Sequence, residues 1–118
     1  MKDLDKYKGC LIGGAIGDAL GYPVEFMSAA LIFSRYGQRG INDYELSDRW
    51  ALISDDTQMT LFTAYGVICG RAADKAEGVD RAYIKQLENA YREWHAIQTR
   101  ANPMPALDHY SQFIMVTG

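Results

Sequence analysis

Asp55-Asp56-Thr57-Gln58-Met59-Thr60-Leu61-Phe62-Thr63-Ala64-Tyr65-Gly66-Val67-Ile68-Cys69-Gly70-Arg71-Ala72-Ala73 is the stretch whose periodicity decides the fold class. Leu61, Phe62, Tyr65, Ile68, Cys69 and Ala72 recur at i, i+3 and i+4, the signature of one apolar helical face. The helix is predicted to run from Asp55 to about Ala73, with Ser54 as its N-cap. Its first turn carries two adjacent acids, which the exposed N–H groups and the helix dipole tolerate. Capping does not require the second acid. Ser54, Asp55 and Asp56 therefore read as oxygen ligands for a hard cation such as Mg²⁺, Mn²⁺ or Ca²⁺.

Upstream lies a stretch without clear periodicity, residues 37–53, containing Gly37, Gly40 and Asn42-Asp43. It reads as a loop, either mobile or functional, leading into the acid pair. Tyr44 and Trp50 are its aromatic candidates for ligand contact. Before it, Ser28 can cap a short helix through Tyr36, with Gly37 ending it. Further upstream, residues 5–21 alternate small and apolar residues with helical spacing. Gly9, Gly13, Gly17 and Gly21 recur every fourth residue. That register puts the glycines on one stripe, which predicts a buried helix tightly crossed by a second backbone. Asp18 within it needs a hydrogen-bonding partner, and backbone N–H groups are the expected donors. Pro23 is expected to stop the helix and to push Tyr22 out of the helical region, leaving Glu25 in the turn beyond. Glu25 supplies a further carboxylate.

Downstream, Asp80 can cap a last long helix. In it Tyr83, Ile84, Leu87, Tyr91, Trp94 and Ile97 face the core, Glu88 pairs with Arg92 outside, and Pro103 and Pro105 end it. No alternating strand or Asn-Gly or Asp-Gly hairpin signal interrupts the helices, so the chain reads as all-α. With 118 residues, 48% of them apolar, a single helical domain is expected. A net charge of −3 gives no bulk attraction for phosphate backbones. The longest apolar run falls well short of the about 20 residues of a membrane span, and no leader pattern is evident. A cytoplasmic protein is expected. Cys10 and Cys69 stand alone in helical patterns and read as buried free thiols. His95 and His109 have no partner at ligand spacing. The apolar segment Phe113–Gly118 reads as a truncated end.

Gly9-Cys10-Leu11-Ile12-Gly13-Gly14-Ala15-Ile16-Gly17-Asp18-Ala19-Leu20-Gly21, then Glu25, then Ser54-Asp55-Asp56-Thr57-Gln58-Met59-Thr60-Leu61, resembles the ADP-ribosylglycohydrolase family. The resemblance implies the N-terminal part of an orthogonal helical bundle. It implies a centre of two Mg²⁺ ions held by Glu25, Ser54, Asp55 and Asp56, with Glu25 and Asp56 in catalytic roles. The implied reaction hydrolyses the bond between ADP-ribose and an acceptor such as a protein side chain, so the implied partner is ADP-ribose or an ADP-ribosylated protein. The family also draws ligands from a second Asp-x-Asp-Ser/Thr cluster in its C-terminal half. No such cluster occurs in these 118 residues. The expectation is a fragment that lacks this half and either self-associates or takes a C-terminal partner chain. The alternatives are one piece of a split hydrolase and a non-catalytic helical binding module.

Overall fold

Four α-helices account for most of the computed structural model, which describes residues 3–78 and 82–99. Among the described residues the fold is all-α apart from one minimal hairpin, and the chain divides into two compact units, Met1–Thr57 and Gln58–Gly118.

In the first unit, α1 spans Leu4–Gly21 and passes directly into a 3-10 turn, Tyr22–Val24. Pro23 ends the α-helix as expected, yet Tyr22 keeps helical angles (φ −52, ψ −43) and its N–H still bonds the Asp18 carbonyl. The pre-proline bias loses here because Pro23 is the second residue of the new 3-10 turn, where its missing N–H is one that a helix start leaves unpaired. Glu25 is likewise helical in backbone (φ −49, ψ −41). Across the following break the chain bends by 96° into α2, Ala29–Tyr36. The Ser28 hydroxyl accepts from Leu31 N–H at 3.3 Å and opens α2, while Gly37, at φ 81, closes it.

Glu45 accepts from the Tyr36 hydroxyl at 2.5 Å and pairs with Arg35, tying the end of α2 to the next segment. There β1, Leu46–Ser47, pairs antiparallel with β2, Trp50–Ala51. This hairpin is a departure from the loop expected over 37–53. Its turn residues, Asp48 (φ 48) and Arg49 (φ 76), adopt left-handed angles usually left to Gly or Asn. The hairpin therefore lacks its usual signal.

The buried α1 expected from the glycine register is not found. Ala19 is its single buried residue, and a Cβ placed on Gly9, Gly13, Gly17 or Gly21 would meet nothing within 4 Å. Cys10 is exposed and Cys69 half-buried, so the thiols are free but not the core residues anticipated. No single helix among the described residues is long and apolar enough to cross a membrane.

α3 runs Asp55–Glu77, past the expected end at Ala73, because no breaker precedes Gly78, which takes φ 70. α4 spans Ala82–Thr99. Within the second unit these two cross closely. A Cβ on Gly70 would fall 2.6 Å from the Tyr83 Cβ, and one on Gly66 would fall 3.2 Å from the Gln86 carbonyl. Phe62 and Ala90 are buried. The expected stripes hold in part: Ile68, Ala72, Ile84 and Tyr91 are exposed instead. The crossing sits on the Gly66 and Gly70 side, which rotates the buried face of α3 away from Ile68. The Tyr91 hydroxyl lies 2.6 Å from that of Thr63, a polar contact an apolar stripe does not anticipate. Trp94 and Gln98 both donate to the Gln58 side chain. Glu88 pairs with Arg92 as expected. Asp74 accepts the Ala82 N–H at 2.6 Å, so α3 supplies a cap to α4. The expected cap Asp80, the stops Pro103 and Pro105, His109 and the segment Phe113–Gly118 lie outside the described residues.

Candidate metal and substrate site

The helical backbone that continues through Pro23 has a chemical consequence. Asp18, Gly21, Tyr22 and Glu25 fall at i, i+3, i+4 and i+7, so they share one stripe along α1 and its 3-10 extension. Opposite this stripe lies the start of α3. Asp18, Gly21, Tyr22, Glu25, Ser54 and Asp56 line one open cleft of about 240 Å³.

Asp18 joins the two segments. Its Oδ2 accepts the Ser54 N–H at 2.9 Å, the Thr57 N–H at 3.3 Å and a short hydrogen bond from the Thr57 hydroxyl. The backbone partner expected for Asp18 is thus supplied by a segment far along the chain. Ser54 in turn accepts the Asp56 N–H at 3.2 Å, which satisfies one of the orphan donors of the first turn. Ser54 and Thr57 are buried. Burial pushes the Asp18 carboxyl up, but the hydrogen bonds from Thr57 and Ser54 together outweigh it and hold Asp18 below its ordinary value. Asp18 is therefore an anion at neutral pH, placed where the N-terminus of α3 favours negative charge.

Of the residues singled out in the sequence, Glu25, Ser54 and Asp56 come together in the cleft. Asp55 lies beside them in the chain but does not line it, and neither do Tyr44 and Trp50. Trp50 is exposed on β2, and Tyr44 is exposed ahead of β1. Two lining side chains escaped sequence reading in this role. The sequence pattern gives Asp18 only a structural bond to backbone N–H groups, and its signal in this role is its place on the i, i+3, i+4, i+7 stripe that ends at Glu25. Tyr22 is hidden in the sequence by the break expected at Pro23. The exposed carboxylates of Glu25 and Asp56, the Asp18 carboxylate and the Ser54 hydroxyl make an all-oxygen donor set of the kind hard cations take. Among the described residues, no three His, Cys, Asp or Glu side chains are gathered closely enough to cage a metal by themselves. The cleft is an open rim.

Searches among curated proteins and among solved structures returned no match. The family model described as ADP-ribosylglycohydrolase matches residues 1–112, which takes in the whole cleft. A match over nearly the full length, with the acid-bearing segments brought to one cleft, assigns this chain to the ADP-ribosylglycohydrolase family.

Proposed function

We propose that the chain takes part in metal-dependent hydrolysis of the glycosidic bond joining ADP-ribose to an acceptor such as a protein side chain. Glu25, Ser54 and Asp56 would hold Mg²⁺ (one ion or two), or Mn²⁺, from within the cleft, and Asp55, beside them in the chain but outside the lining, would join only by turning toward it. The observation that carries the reading is the shared cleft of Asp18, Glu25, Ser54 and Asp56. Carboxylates that line one cleft give it a negative potential that attracts a cation. When bound, the divalent ion would supply Lewis acidity and a fixed anchor for ribose oxygens. Glu25 is exposed at the rim, where it can accept the proton of an attacking water. As the leaving group departs, the anomeric carbon gains oxocarbenium character, and the Asp56 carboxylate offsets that charge. Tyr22 gives the cleft an aromatic wall. Tyr44 and Trp50 are assigned to parts of the ligand that extend past it.

Exposed apolar surface favours a second component. Phe26, next to Glu25, is 91% exposed, and Ile12 and Ile16 stand open on α1. The proposed active form is therefore completed by another chain, either a second copy or a C-terminal partner. The test is release of ADP-ribose from a modified peptide in Mg²⁺, for wild type, Glu25→Gln and Asp56→Ala, with and without added partner. Activity that falls at least about a hundredfold in each variant supports the assigned roles. Equal rates in wild type and both variants would remove the site, and a folded chain inert under every condition would favour the non-catalytic module.

A further inference from the structure

We propose that Asp18 is a positioning residue that sets cation affinity at this cleft by fixing the first turn of α3. The proposal rests on the hydrolase reading above. It starts from a count of donors. Ser54 satisfies Asp56 N–H locally, whereas Ser54 N–H and Thr57 N–H turn to Asp18, on α1. The orientation of Ser54 and Asp56 is therefore set by α1, not by the loop that precedes them. The stripe along α1 and its 3-10 extension carries both Asp18 and Glu25, so the element that anchors the first turn of α3 also presents the carboxylate facing it. Thr57 is 6% exposed, and its hydroxyl bond to Asp18 is shielded from competing water. Asp18 need not touch an ion to act. Partners that hold ligands in orientation govern affinity nearly as strongly as the ligands themselves.

A simple cap would stabilise the fold without affecting the cation, so the test separates the two. Mn²⁺ binding to the full chain is followed by electron paramagnetic resonance, at a temperature where circular dichroism shows every variant folded. Thr57→Val keeps the shape and the Asp18 charge but removes the hydroxyl bond; Thr57→Ser restores that bond; Asp18→Asn keeps an acceptor oxygen and removes the charge. Thr57→Val and Asp18→Asn are expected to weaken Mn²⁺ binding about tenfold or more, and Thr57→Ser to return it to the wild-type value. If Asp18→Asn does not fold, the Thr57 pair decides the matter. Variants that melt earlier yet bind Mn²⁺ like wild type would overturn the positioning role while leaving the cation reading intact. A wild-type chain that binds no Mn²⁺ either alone or with the added partner would overturn both.

Discussion

Two helices of this chain carry glycines four residues apart, and they behave in opposite ways. In α1 the register runs Gly9, Gly13, Gly17 and Gly21, and no added Cβ would meet a neighbour within 4 Å. In α3 it is only Gly66 and Gly70, yet there α4 comes so near that a Cβ on Gly70 would overlap Tyr83. The longer register makes the more visible pattern and the shorter one makes the contact. Spacing selects a side of a helix; it does not supply a partner. α3 has one because the connection to α4 is short, and a short connection favours an antiparallel helix neighbour. α1 keeps a smooth face, and its exposed Ile12 and Ile16 border it.

The sharpest way to break this contrast is Gly70→Ala. The new methyl would lie 2.6 Å from the Tyr83 Cβ and 2.9 Å from its backbone nitrogen, so the helices must separate. A loss of about 3 kcal/mol is expected, at the upper end for overpacking, read as a lowered midpoint in thermal unfolding; an unchanged midpoint would mean that the crossing is elsewhere. Gly13→Ala should act in the other direction. With open space around it, alanine contributes its helix preference, about 0.5 to 1 kcal/mol of stabilisation. Should it destabilise the chain instead, and do so more at higher protein concentration, the stripe is covered by another copy in solution. Gly66→Ala should fall between the two. Its nearest neighbours would be 3.2 to 3.3 Å away, so a slight shift nearly cancels the helix preference and leaves a net loss within about 1 kcal/mol.

The smallest effect is expected from Glu88→Gln, on the outer face of α4. The hydrogen bonds from Lys85 and Arg92 hold the Glu88 carboxyl below its ordinary value. Its folded value is depressed, so its contribution is present above the unfolded value of about 4.3 and disappears as pH falls through the lowered folded value. The gap between wild type and Glu88→Gln in unfolding midpoint should thus be slight at neutral pH and close under acid. A large gap that persists in acid would show that Glu88 contributes through the packing of its stem and not through its charge.

Much of the site was legible before any coordinates. Ser54, Asp56 and Glu25 were marked by side-chain chemistry and by their places at breaks in helical pattern, and all three line the cleft. Tyr22 and Asp18 were harder to see. A proline signals a broken stripe, and here the backbone kept its helical angles through it. The hairpin at Asp48-Arg49 was hidden for a similar reason, since neither residue advertises a left-handed turn in the way glycine does.

Sequence by itself determined the helices, their caps at Ser28 and Gly37, and the chemistry gathered around Asp55-Asp56, because each depends on neighbours within about a turn of chain. Tertiary structure alone decided which glycine register is used and which acid anchors α3. Both choices depend on a partner segment distant in the chain, as Asp18 is from Thr57, and periodicity carries no information about distance in space.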